Sequence, residues 1–275
     1  MFARRNAQGH YTWNGVKLPS VTTVIGILGS DQLSMWHAKT AALEAARLVA
    51  EGRLDEAQDW QRVMSAPVRY RDYKGAVGSV FHHAMQTKVL HGLPDDLEGF
   101  CQSAAQKLGY GKDLDDGYRE TLASDAARLV RRGLDWLDQA KPEFLMVGLE
   151  AVVVSLSHGY AGTMDFVAKV DGKLVLGDWK TSNYLWQASV HHQMEAYANA
   201  DFIGDTSTGE EYEMPSVEAT MALHVLPDAP VKPYTFPRSA EVFDSFLAMR
   251  KVYGALNNMP KPSRAGKATK KKEEA

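Results

Sequence analysis

The pattern of apolar and polar positions divides the chain into a helix-forming first half and a strand-rich second half. Residues 10–18 read as a small hairpin, with Asn14-Gly15 as its two-residue turn. Ser20 is a candidate N-cap for a short apolar helix reaching about Leu28. Helices are predicted over 31–51, stopped by Gly52, and over 54–64, ahead of Pro67. A long helix follows over 67–91, ended by Gly92 and Pro94, and two more cover 95–108 and 117–140. Trp36 is expected in the core. Residues 144–156 read as one strand. The runs 163–170 and 173–180 flank Asp171-Gly172 and read as a hairpin. A helix over 187–203, a polar loop over 205–216, strands over 219–226 and 231–236, and a last helix over 239–256 complete the chain. The order predicts an α/β fold: a mixed central sheet covered by helices on both faces, preceded by an N-terminal helical lobe.

The hairpin fixes a register. With a two-residue turn, Val170 pairs with Lys173, and each further pair sums to 343. Asp165 then stands opposite Asp178, with Cβ atoms about 5 Å apart. Lys180 projects from the same face as Asp178, and Trp179 from the other, opposite Met164. Opposed carboxylates repel, and a divalent cation is the usual compensation. The adjacent lysine could hold a water or a phosphate oxygen. On the following helix Gln193 and Tyr197 share a face as i and i+4. Upstream, Gly78 and His82 share a face of the long helix. A glycine inside a helix costs about 1 kcal/mol against alanine, so its presence one turn before the histidine suggests close approach of another group.

Four short patterns thus occur in order: Gly78-x-x-x-His82, Gly162-x-x-Asp165, Asp178-Trp179-Lys180-Thr181 and Gln193-x-x-x-Tyr197. Each alone is weak, but the ordered set resembles the RecB-like branch of the PD-(D/E)XK nucleases, over roughly residues 9–250, with phage-encoded exonucleases the nearest in character. The resemblance implies a restriction-endonuclease-like core within a single domain over 1–260. Its helical lobe is expected at about 20–140 and its catalytic core at about 67–92 and 142–256. It also implies Mg²⁺ or Mn²⁺ held by His82, Asp165 and Asp178, with Glu150 as an accessory ligand. Asp165, Asp178 and Lys180 would be catalytic, with Gln193 and Tyr197 positioning Lys180 or the DNA backbone. The implied activity is a DNA exonuclease of phage-type recombination or replication. A structure-specific endonuclease on the same core and a catalytically silent DNA-binding subunit remain alternatives. A recombination protein or a single-strand-binding protein is a candidate partner, and an oligomer is compatible with the family.

Composition narrows these readings. The 275 residues are 45% hydrophobic, enough for a sizeable core, and no apolar run approaches membrane-spanning length. No charged and apolar leader pattern opens the chain, so the cytoplasm is the expected compartment. The single cysteine, Cys101, cannot form an internal disulfide, and it excludes the four-cysteine iron–sulfur cluster of some relatives. No phosphate-cradling glycine loop is present, so ATP use is not expected. The net charge is −3; the stretch 259–275 holds six Lys/Arg and two Glu, which leaves −7 on the rest. DNA contact is therefore expected in one groove rather than over a basic surface. Candidate phosphate contacts are Arg69, Arg71 and Lys74 on the long helix and Arg128, Arg131 and Arg132 on a later one, with a solvated face the simpler reading for each. His83, pointing about 100° away from His82, is assigned no role, and His191 and His192 are read as surface residues. Residues 261–275 are too polar to fold and are expected to form a disordered basic tail.

Overall fold

The computed structural model describes residues 10–29, 31–53, 57–110, 114–205 and 208–259. The expected disordered tail lies outside them. Strands β1 (His10–Trp13) and β2 (Val16–Pro19) form the predicted hairpin, with Asn14 and Gly15 at φ of 45° and 82° as a type I′ turn requires. Ser20 Oγ accepts from the Thr23 amide at 3.0 Å and starts α1 (Val21–Ile25), which continues as a 3₁₀ turn through Leu28. Four long helices follow: α2 (Asp31–Ala50), α3 (Ala57–His91), α4 (Leu97–Lys107) and α5 (Asp116–Ala140).

Two expectations are corrected in this helical region. The helices expected over 54–64 and 67–91 are a single helix, with Pro67 inside it. A proline removes one backbone bond and strains the turn before it. Here Arg69 Nη1 and Ser65 Oγ both donate to the Arg62 carbonyl, at 2.8 and 3.2 Å, so side-chain bonds brace the turn before the proline. Val63 and Ala66 are buried on this turn, and their packing holds the helix through it. Trp36 is only half-buried, its ring 6.0 Å from that of Tyr70 on the lobe surface, rather than in the core.

The second half contains β3 (Glu143–Phe144), β4 (Ala151–Ser155), β5 (Tyr160–Met164), β6 (Phe166–Val170), β7 (Lys173–Lys180), α6 (Gln187–Ala198), β8 (Phe202–Gly204), β9 (Glu211–Glu213), β10 (Ala219–His224), β11 (Lys232–Pro237) and α7 (Ala240–Asn257). Among the described residues they build a five-stranded sheet, β11-β10-β7-β6-β3, and a four-stranded one, β5-β4-β8-β9. β10 runs parallel to β7 and the remaining pairs are antiparallel, so the larger sheet is mixed, as expected.

The run expected as one strand over 144–156 divides between the two sheets, and so does the run 163–170. The chain leaves the smaller sheet at Met164 and enters the larger at Phe166. Met164 therefore pairs with Ala151 and does not face Trp179. The polar loop over 205–216 contains β9, which pairs with β8.

The strands of the larger sheet alternate between two cores. Phe166, Ala168, Val170, Val175, Trp179, Met221 and Leu223 face the helices α3, α4 and α5. Val167, Leu176 and Ala222 point the other way, into a cluster with residues of α1, α6 and α7. Burial on both faces explains the near-continuous apolar runs in β6 and β10. The C-terminal end of β7 thereby lies against α3 and α6, the two helices that carry the histidine and the glutamine–tyrosine pair.

Candidate active site at the junction of the two sheets

Asp165 stands at the point where the chain changes sheets, and both ladders extend to it. In the smaller sheet Ala151 pairs with Met164, so the next position outward sets Glu150 opposite Asp165; the Glu150 amide donates to the Asp165 carbonyl at 2.8 Å. In the larger sheet Phe166 pairs with Gly177 and Val170 with Lys173, the register read from the turn, so Asp178 is the next partner of Asp165 on that side. The Trp179 amide donates to Asp165 Oδ2 at 2.5 Å and orients the carboxylate. Glu150 adopts a left-handed backbone, φ 48°, as the chain turns into β4.

His82 reaches this corner from α3. Its Nδ1 lies 3.3 Å from Asp165 Oδ1 and 3.5 Å from Glu150 Oε1. Ligand atoms of the three residues lie within 4.8 Å of one another. One turn earlier on the helix, a β-carbon at Gly78 would stand 3.0 Å from Thr181 Oγ1. The expected close approach is therefore made by the end of β7, and glycine lets α3 come near enough for His82 to reach.

Asp178, Lys180, Gln193 and Tyr197 form a connected row beside this cluster. Lys180 Nζ is 2.7 Å from Asp178 Oδ2 and donates to Gln193 Oε1 at 2.9 Å. The Gln193 amide donates to Asp178 Oδ1 at 3.1 Å and to the Tyr197 hydroxyl at 3.0 Å. A single glutamine thus fixes the lysine, the aspartate and the tyrosine together. Gly162 makes this possible: a β-carbon there would fall 2.2 Å from Tyr197 Cε1. The glycine of one sequence pattern is the seat for the tyrosine of another. The structure brings His82, Glu150, Asp165, Asp178, Lys180, Gln193 and Tyr197 to one place, but it divides the two aspartates. Asp165 groups with His82 and Glu150, whereas Asp178 groups with Lys180 and Gln193.

The electrostatics follow from burial. Desolvation opposes the His82 imidazolium, yet Asp165 and Glu150 outweigh it and hold the imidazole pKa well above its usual value. Burial raises the Glu150 carboxyl, and the His82 contact opposes that rise. Burial pushes the Asp178 carboxyl up to about 6, against the pull of Lys180. Burial, helped by the Asp178 charge, keeps the Tyr197 phenol well above 10, so it stays neutral.

Such a concentration of carboxyl groups suits a cation. The donors are two carboxylates and an imidazole, an oxygen-rich set in which nitrogen shifts preference from Mg²⁺ toward Mn²⁺. Separations of 3.3 and 3.5 Å are those of adjacent donors bound to one ion by bonds of about 2.1 Å. Asp178 Oδ2 is also buried with no hydrogen bond of good geometry, Lys180 lying beside it off the bonding axis. These residues fit a divalent ion.

Most of the remaining candidates are engaged elsewhere. Arg69 pairs with Glu44 and Asp115, Arg71 with Asp72, and Lys74 lies over the rings of Tyr70 and Tyr73. Arg128 bonds to Asp228, and Arg132 to the Pro227 carbonyl, tying α5 to the β10–β11 turn. His83 stacks on Phe100. His191 and His192 are half-buried rather than free on the surface; they bond to the Pro237 carbonyl and to Ser245. His224 escaped the sequence reading, although its Nε2 lies 2.7 Å from the Ser182 carbonyl and steadies the chain after Lys180. A histidine closing a β-strand carries no signal that distinguishes it.

The fold and this constellation of carboxylates, lysine and glutamine define a nuclease core. The family profile of the PD-(D/E)XK nuclease superfamily matches residues 44–233, and the chain belongs to that superfamily. It is accordingly a metal-dependent nuclease that uses divalent ions and has DNA as its substrate. No curated protein matches the chain. Among solved structures, a protein designated SSO0001 is similar at 12% identity; the match covers 67% of this chain and 89% of that one, with a TM-score of 0.32. Among the described residues no helix is long and apolar enough to cross a membrane.

Proposed function

We propose that the chain is a DNA exonuclease of the RecB-like branch, acting in phage-type recombination or replication, with residues 1–260 as one catalytic unit. The observation that carries this reading is the meeting of four separate sequence patterns around Asp165 and Lys180. In this reading His82, Asp165, Asp178 and Glu150 hold Mg²⁺ or Mn²⁺. The ion supplies Lewis acidity and offsets the charge of the phosphodiester. Lys180, set between Asp178 and Gln193, has three N–H donors. One is given to Gln193 Oε1, and the others remain, beside the Asp178 carboxylate, to orient an attacking water or to meet a non-bridging phosphate oxygen. Gln193 and Tyr197 are positioning residues, keeping the ammonium at a fixed height above the carboxylates. Burial of the Asp178–Gln193–Tyr197 row excludes bulk water from one side, which strengthens each of these contacts.

The test is a gel of end-labelled linear DNA beside covalently closed circular DNA, with Mn²⁺ or with chelator. The linear form should be degraded from its ends with Mn²⁺ only, the circle should survive, and Lys180→Ala should leave both intact. Nicking of the circle would replace the exonuclease reading with an endonuclease on the same core. Full activity of Lys180→Ala would overturn the assigned role of the lysine.

A further inference from the structure

The segment 181–186, Thr-Ser-Asn-Tyr-Leu-Trp, joins Lys180 to the helix that carries Gln193. Its backbone is bonded at alternate carbonyls. Lys180 O accepts from Val225 N at 2.8 Å, Ser182 O faces His224 Nε2 at 2.7 Å, Tyr184 O accepts from Ser182 Oγ at 2.8 Å, and Trp186 O accepts from Val190 N at 2.9 Å. Leu185 points inward, against the cluster of α1, α6 and α7. Tyr184 and Trp186 point outward, 72% and 40% exposed, and Tyr184 is the most exposed aromatic side chain among the described residues. A well-anchored loop therefore presents two large rings to solvent beside the site. Four residues span at most about 14 Å, so Tyr184 lies within about four nucleotides of a phosphate at Lys180, at the 3.4 Å spacing of one strand.

Charge suggests what the rings are for. Apart from 259–275 the chain carries a net −7, and Arg62, Arg69, Arg71 and Arg128 are already in ion pairs. Backbone electrostatics, the general source of affinity for duplex DNA, is weak on such a body. Stacking on aromatic faces does not need net positive charge, but it needs bases that are not paired.

We infer that Tyr184 and Trp186 form a stacking platform for unpaired bases of the substrate, so that this nuclease engages single-stranded or frayed DNA ends in preference to continuous duplex. The inference deepens the reading of the site as a DNA nuclease and rests on it. The platform would grip the strand by its bases while Lys180 faces the phosphate. Two aromatics separated by one apolar residue, set off from the Asp-Trp-Lys-Thr run by two residues, are the sequence trace of it.

The experiment is fluorescence anisotropy of a dye-labelled 12-nucleotide single strand and of the matching duplex, with Ca²⁺ in place of Mg²⁺, so that binding is read without cleavage. Wild type should bind the single strand more tightly than the duplex. Tyr184→Ala and Trp186→Ala should each weaken single-strand binding about tenfold, the lower range for one stacked base, while Tyr184→Phe and Trp186→Phe retain most of it. Duplex binding should change less than twofold. Unchanged single-strand affinity in both alanine variants, or equal losses for single strand and duplex, overturns the inference. Because the assay needs no hydrolysis, its result is separate from the nuclease reading: ring-dependent binding by a chain that fails to cut linear DNA would uphold the platform and refute the activity.

Discussion

At the scale of single residues, the site is built by what glycine omits as much as by what the charged groups supply. Gly162 has no β-carbon where the Tyr197 ring lies, and Tyr197 in turn fixes the glutamine that fixes Lys180. Gly162→Ala should therefore displace the ring. Overpacking of this kind costs about 1–3 kcal/mol, and the loss of activity should exceed what that destabilisation explains, because Gln193 loses its hydroxyl partner. Chemical denaturation and cleavage rates at a temperature where the variant stays folded check both parts. A variant as active as wild type would show that the Tyr197–Gln193 contact does not matter to catalysis. Much of this scale was legible in the sequence. The Asp171-Gly172 turn set the register, and with it the face shared by Asp178 and Lys180. The position of Glu150 was not legible, since its placement opposite Asp165 depends on the turn after Ser155 and on the smaller sheet, which no residue pattern announces.

At the scale of elements, the informative departure is the change of sheet at Asp165. Residues 160–170 form an unbroken run of strand-forming character, and apolar periodicity is the same whichever sheet a strand joins. The run was legible as extended chain but not as two strands in two sheets. Likewise Pro67 argues for a helix boundary, and only the tertiary packing of this turn, with Val63 and Ala66 buried, shows why the helix continues. Helix α6 illustrates how one element serves two purposes. Gln193 and Tyr197 face the site, while Glu195 points away, 1% exposed, and accepts from Arg238 Nε at 3.1 Å and from the Ser239 amide at 3.1 Å. This pair ties α6 to the start of α7. Arg238→Ala would leave a buried carboxylate without that guanidinium and should destabilise the fold by about 3 kcal/mol. Adding Glu195→Gln should restore part of the loss. Thermal melts of the single and double variants measure it, and an unchanged melting temperature for Arg238→Ala would show that the pair is dispensable.

At the scale of the whole molecule, two sheets that share one hydrophobic cluster with α1, α6 and α7 meet at Asp165, and the helices α3 and α6 close over the joint from two sides. The order of helices, strands and final helix made the mixed α/β class legible, and the sequence patterns identified the residues that converge. The second sheet was not legible, because its strands are short and its edge, β9, lies in a polar stretch. We propose that this joint is a divalent-metal site formed in the folded protein, with Asp165 as a ligand. A ligand that binds only the folded state raises stability by mass action, about 2.7 kcal/mol at a hundred times its dissociation constant. Asp165→Asn removes one carboxylate charge from a crowded corner and, with it, a ligand. The most direct test is the melting temperature of wild type and Asp165→Asn, each with chelator and with saturating Mn²⁺. Wild type should gain several degrees from the metal, and the variant, equal to or above wild type in chelator, should gain much less. Equal gains for the two proteins would contradict the claim and remove Asp165 from the metal site.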